Sequence, residues 1–218
     1  MKEYLIIDFD STFIKIESLD ELVKICNNQN KKTIKKIEEI TKMGMEGIIS
    51  FEESFSERFK LLSIKKNDLQ KVIKSLNNNI SKSFIKNKEF IKKNRKKIYI
   101  ISGGFIELIY PVVSKFGIKK SNIFANNFII DHDNNVIGYD RNNPLSKNKG
   151  KVEIIKNLNL NGKINVIGDG YTDYEIKREG YADKFYLFIE NIKRKNILDK
   201  ADFLLKSLDD FVKIFDDE

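Results

Sequence analysis

Asp8 and Asp10 stand one residue apart in YLIIDFDST, directly after the apolar residues Tyr4, Leu5, Ile6 and Ile7. Two carboxylates this close repel each other, and neither ionises easily in an apolar setting without positive charge nearby. A divalent cation is the natural resolution, although an acidic pair alone also suits a solvated turn or a helix cap. Three further stretches add matching chemistry. Ser102, Gly103 and Gly104 follow an apolar run, where free N–H groups, a helix start and a hydroxyl would make a phosphate-sized anion site or a plain cap. Lys147, Lys149 and Lys151 crowd the approach to a helical pattern, and Gly168, Asp169, Gly170 and Asp173 follow a third apolar run.

Three other residues invite a role. Phe51, Phe55 and Leu62 recur at helical spacing, with Arg58 in the middle of their stripe. An arginine there either snorkels from a partly exposed face or sends its guanidinium to an anion in a cleft. His132, the only histidine, falls at a polar tip and reads as solvated rather than as a general base. Cys26 shares a helical face with Leu19, Leu22 and Val23 and reads as core packing.

The elements that must position these groups follow from pattern. Residues 4–7 are apolar without alternation, as in a parallel strand covered on both faces. Helical periodicity follows at residues 19–27, 33–45, 51–62 and 68–77, with no second strand before residues 97–102. Residues 13–79 therefore read as a helical cap inserted after the first strand of an α/β core made of residues 1–12 and 80–218. Beyond Gly104 a helix begins near Phe105, where Pro111 should kink it and Gly117 should end it. Residues 122–139 read as a β-hairpin flap rather than another parallel unit. A helix at 151–158 and strands at 164–167, 184–188 and near Phe203 complete an α/β, three-layer, Rossmann-like core with a mostly parallel sheet. In such a sheet, strand ends can bring Asp8, Asp10, Ser102 and Asp169 together.

With 218 residues, 41% hydrophobic and 33% charged, the chain supports one full core and a smaller appended unit. No apolar stretch is long enough to span a bilayer, and the N-terminus runs into the acidic pair without a signal-peptide pattern, so a cytoplasmic protein with no membrane partner is expected. The net charge of +8 comes from lysines spread along the whole chain, with no zinc, helix-turn-helix or RNA-binding signature, and nucleic acid is not expected as a partner. The densest basic run, from Lys92 to Lys97, suits a solvated helix end.

Taken in order, DFDST from Asp8, Ser102 after a strand, a lysine upstream of a helix and GDGYTD from Gly168 resemble the haloacid dehalogenase superfamily of phosphotransferases. Within it the chain resembles the phosphoserine phosphatase family, through Glu17, MEG from Met45, FEES and Arg58, SGGF from Ser102 and FAN from Phe124. The resemblance implies Asp8 as nucleophile, forming an aspartyl phosphate, and Asp10 as general acid and base. It implies Mg²⁺ held by Asp8, the Asp10 backbone carbonyl and Asp169, with Asp173 in support. Ser102, Gly103 and a lysine would hold the phosphate. Lys149 matches that lysine best because Gly150 follows it, with Lys147 and Lys151 as alternatives. Glu17, Met45, Arg58 and Thr172 would contact the substrate, Glu17 its ammonium and Arg58 its carboxylate.

The implied activity is Mg²⁺-dependent hydrolysis of O-phospho-L-serine, the last step of serine biosynthesis, by a monomer or homodimer. Its rivals are a phosphatase or phosphotransferase for another small phosphomonoester, and a non-catalytic nucleic-acid-binding or scaffold protein. Two departures stand out: Tyr171 occupies a place where the family commonly has a small residue, and residues 181–196 do not follow the family's usual ending.

Overall fold

The structure is a computed structural model that describes residues 2–27, 30–45, 48–62, 64–133 and 135–217. Strand β1 (Glu3–Ile7) is central in a six-stranded, all-parallel sheet. On one side it pairs with β2 (Ile98–Phe105), which pairs with β3 (Ile123–Asn126). On the other side come β6 (Lys163–Gly168), β7 (Lys184–Phe188) and β8 (Phe203–Leu205). The chain goes from β1 to one flank and then returns to the other, so the strand order reverses at β1. A crevice opens beyond the carboxyl ends of strands at such a switch point. Asp8 is the next residue.

Both faces are covered. Ile7, Ile98, Ile100, Phe105 and Phe188 belong to a large buried cluster that takes in α7 (Ile106–Val113) and α10 (Leu208–Asp217). Ile6, Ile101, Val166, Phe185 and Leu187 face the opposite way and pack on α8 (Gly150–Leu158) and α9 (Tyr171–Arg178). The insertion after β1 holds four helices: α1 (Ser18–Cys26), α2 (Lys31–Met45), α3 (Phe51–Phe59) and α4 (Lys66–Asn78). The strands entering and leaving this insertion touch at an antiparallel bridge, Ile14 to Ile80. Its apolar residues Phe55, Ile64, Val72 and Leu76 join the larger core cluster rather than forming one of their own. Cys26 is half-buried against that cluster, as its helical face predicts.

Several expectations are corrected. Where one helix end was expected before β2 there are two short helices, α5 (Lys82–Lys86) and α6 (Lys88–Asn94), the second ending within the run from Lys92 to Lys97 as that reading predicts. Residues 123–126 are a parallel edge strand of the main sheet, leaving only β4 (Phe128–Ile130) and β5 (Val136–Tyr139) as the hairpin. Four residues are too few for periodicity to separate an edge strand from a hairpin arm. Ser102, Gly103 and Gly104 do not form a helix start. They continue β2, whose register against β3 shifts between Ile101 and Phe105, and α7 starts only at Ile106. Pro111 lies inside α7, which continues past it to Val113 and tightens into a 3₁₀ turn closed by Gly117 at φ 80°. His132 is exposed in the hairpin turn.

Candidate active site

Asp8 leaves the sheet at the end of β1, its N–H bonded to the Ile167 carbonyl of β6. Residues Phe9–Phe13 then wind through an irregular helical turn in which Ser11 takes φ 52°, ψ 2°. That turn points Asp10 at the first turn of α1, and the Ser18 N–H donates to Asp10 Oδ1 at 2.6 Å. Asp169 follows the last residue of β6, and Asp173 lies in the first turn of α9, where its Oδ2 accepts the Gly170 N–H at 3.2 Å. No side chain fits at Gly168, because a Cβ there would lie 2.1 Å from the Asp173 carboxyl carbon. Among the described residues, Asp8, Asp169 and Asp173 form a buried trio, each offering an oxygen within 4.8 Å of the others. An all-carboxylate donor set of this kind fits a hard divalent cation. The Asp10 carboxylate is outside the trio.

The lysine in this cluster is Lys151. Its Nζ lies 2.7 Å from Asp8 Oδ1 and 2.7 Å from Asp173 Oδ1, and its side chain is 8% exposed. Lys149, the best match to the family's lysine because Gly150 follows it, lines the cavity with a side chain 55% exposed and pairs with Glu179 at 3.1 Å. Lys149 takes φ 58° as the cap of α8, so Lys151, two residues on in the first turn, carries the inward direction. Burial would lower the Lys151 pKa, but Asp173 and Asp8 outweigh it and raise it, so Lys151 stays charged. Burial pushes Asp8 well up against the pull of Lys151, and the neighbouring acids add to the rise. Burial also raises Asp173, and it lifts Asp10 to about 6, opposed mainly by the Ser18 N–H.

A cavity of about 450 Å³ opens above these groups. Ser102, Gly103 and Gly104 line its floor, and Leu19, Thr41, Ile49, Phe51, Ser54 and Arg58 of the insertion line its roof. The Phe51 ring lies so close to Gly103 that a Cβ there would fall 2.6 Å from its Cζ. Glu17 and Thr172 also line the cavity. Met45 ends α2, and its side chain, with Glu46 and Gly47, lies outside the described residues.

Arg58 is 5% exposed, so it does not snorkel, and the anion it meets is Asp20 of α1 within the insertion. Its Nη1 lies 3.5 Å from Asp20 Oδ1 and 3.4 Å from Thr41 Oγ1, and its Nε donates to the Ser54 carbonyl at 3.3 Å. Glu17 accepts the Ser11 hydroxyl at 2.7 Å. Burial first, and then Asp10, Asp169 and Asp20, push Glu17 up to about 8, with Arg194 opposing.

Sequence reasoning missed Arg194 and Asp20. Arg194 reaches Asp169 Oδ2 with Nε and Nη2, both at 2.7 Å, and Glu17 Oε1 at 3.5 Å. It comes from the stretch after β7 that departs from the family's usual ending. No motif marks it.

The chloroplastic phosphoserine phosphatase of Arabidopsis thaliana is 33% identical over 220 residues, covering 98% of this chain and 72% of that protein. The chain belongs to the phosphoserine phosphatase family. Among solved structures, a phosphoserine phosphohydrolase-like protein from Francisella tularensis subsp. tularensis SCHU S4 superposes with a TM-score of 0.87 at 31% identity, over 98% of this chain and 99% of that one. A phosphoserine phosphatase solved as an analogue of its phospho-aspartyl intermediate gives a TM-score of 0.77 at 25% identity, over 98% and 99%. No family model matches the chain. No helix among the described residues is long and apolar enough to cross a membrane.

Proposed function

We propose that the protein hydrolyses O-phospho-L-serine to L-serine and phosphate with Mg²⁺, through an aspartyl phosphate on Asp8. The observation that carries this reading is one cavity lined by Asp8 and Lys151 of the core, by Glu17 just before α1 and by Arg58 of α3. Phosphate and amino-acid groups thus have separate partners. In this reading residues 13–79 act as the cap over a core of residues 1–12 and 80–218.

An Asp8 oxygen attacks phosphorus as the bond to the serine oxygen breaks, and Asp10 gives that oxygen its proton. A pKa of about 6 suits a group that must donate and then accept near neutrality. Ser18 holds Asp10 Oδ1. The other oxygen is left for the reaction. Asp10, now ionised, takes a proton from water, whose oxygen attacks phosphorus and releases phosphate and the Asp8 carboxylate. Lys151 and the Ser102 hydroxyl steady the phosphoryl oxygens throughout. Asp8, Asp169 and Asp173 would hold Mg²⁺, with the Asp10 carbonyl completing the set that the family resemblance implies. When bound, Mg²⁺ supplies neutralising charge at the phosphoryl group.

Phosphate release from a panel of small phosphomonoesters, with Mg²⁺ and with a chelator, tests the proposal. Phosphoserine should lead the panel and the chelator should abolish turnover. Preference for a substrate lacking either the ammonium or the carboxylate would overturn the assignment.

A further inference from the structure

The segment after β7 contains a second unassigned residue, Asn191, whose side-chain nitrogen faces four oxygens. They are Ser81 Oγ at 2.7 Å and the carbonyls of Ser11, Thr12 and Ile14 at 3.1, 3.2 and 3.3 Å. Four acceptors around one amide fix its orientation, since only the NH₂ end can face them. The carbonyls lie where the chain leaves the core for the helical insertion, and Ser81 lies where it returns. Ser81 Oγ donates in turn to the Thr12 carbonyl at 2.7 Å.

Ser11 is the strained member of this group. Its φ of 52° is the left-handed region, which residues with a Cβ adopt only when the surroundings hold them there. In this conformation its hydroxyl meets Glu17 at 2.7 Å and the preceding residue, Asp10, meets the Ser18 N–H. A return of Ser11 to negative φ would turn its hydroxyl away from Glu17 and rotate the peptide that carries Asp10.

We propose that Asn191 is a positioning residue for the reaction: it clamps Ser11 in the left-handed conformation and so fixes Asp10 and Glu17 relative to each other. This rests on the roles proposed above for those two acids. It also makes a specific demand of position 11. Glycine adopts positive φ without strain and should need the clamp far less.

The test compares wild type, Asn191→Ala, Ser11→Gly and the double variant in phosphoserine turnover and in amide hydrogen exchange over residues 8–18 without substrate. Asn191→Ala should lower kcat at least tenfold, raise KM and speed exchange in that segment. Adding Ser11→Gly should recover most of the lost kcat while KM stays high, because Glu17 has lost its hydroxyl partner. Ser81→Ala, which removes the shortest of the four contacts together with the bond from Ser81 to the Thr12 carbonyl, should lower kcat about threefold and decides the matter if Asn191→Ala does not fold. A kcat within twofold of wild type in Asn191→Ala, unchanged exchange, or no kcat recovery in the double variant would overturn the inference. Wild type that turns over p-nitrophenyl phosphate but not phosphoserine would instead mark failure of the substrate assignment. The exchange arm and the same kcat comparison on p-nitrophenyl phosphate then still decide the role of Asn191.

Discussion

Replacing Lys151 by methionine removes one charge from between two buried carboxylates while keeping most of the side chain's volume. Lys151 Nζ is 2.7 Å from both Asp8 and Asp173. Breaking a buried pair from one side costs about 3–5 kcal/mol when the remaining charge cannot be relieved. Here it can be relieved by protonation, since burial already pushes Asp8 and Asp173 up. The folding loss should therefore fall at the lower end, and the damage should appear in catalysis. A protonated Asp8 does not attack phosphorus, and the phosphoryl oxygens lose a charged donor worth about 2.7–4 kcal/mol, or roughly 10²–10³ in kcat. Lys151 also holds Asp8 down against burial, so its loss should move the acid limb of the pH profile to higher pH. Lys149→Met is the control: its contact with Glu179 is solvent-screened, and kcat should stay within about twofold. Phosphate release at saturating Mg²⁺ measures both. If Lys151→Met kept kcat within tenfold of wild type, or Lys149→Met proved the slower enzyme, the placement of the phosphate-facing lysine would be refuted.

Arg58→Ala should cost about 2–4 kcal/mol in kcat/KM for phosphoserine, through loss of a paired donor to the carboxylate, and lysine should not restore it. Phosphoethanolamine, which lacks the carboxylate, should lose far less; equal losses would assign Arg58 to folding or to the phosphoryl group. Asp169→Asn should raise the Mg²⁺ concentration for half-maximal activity steeply, and a titration giving the wild-type midpoint would remove Asp169 from the metal site. Glu17, held near 8, keeps its proton in the folded protein at pH values where the unfolded chain has released it. Its contribution to stability is complete below the ordinary glutamate range and is lost as pH rises through about 8. In chelator, the Tm of Glu17→Gln should therefore fall less than that of wild type between pH 5.5 and 8.5.

What was legible in the sequence was what local pattern encodes. The strand preceding Asp8, the four helices after it and the strand before Asp169 follow from apolar periodicity, and the motifs at their ends located most of the cavity. The lysine was not, because three lysines at alternate positions look alike until the backbone turns. The left-handed residue at 149 and the helix start at Gly150 decide which one faces inward. Asp20 was hidden in an ordinary acidic first turn of α1. Arg194 and Asn191 were hidden for a different reason. Their partners at Asp169, Ser11 and Ser81 are long-range in sequence, and one basic and one amide residue among many carry no periodic signal.

The contacts around Ser11 also constrain how the insertion can work. Two hydrogen bonds cross between the catalytic turn and the start of α1 in opposite senses: Ser18 of the helix donates to Asp10 of the turn, and Ser11 of the turn donates to Glu17 beside the helix. Each proposed functional acid is therefore held by the other's segment. An opening motion that hinged between residues 11 and 18 would break both bonds together and leave two buried carboxylates without their donors, a cost that substrate entry alone does not repay. The start of α1 must then move with the core. Asp20 extends the tie from α1 to the roof, since its buried carboxylate accepts the Thr41 hydroxyl at 2.7 Å and lies 3.5 Å from Arg58, so α2 and α3 are held to α1 by the same kind of contact. On this arrangement Asp10, Glu17 and Arg58, proposed above as general acid, ammonium partner and carboxylate partner, keep one fixed geometry.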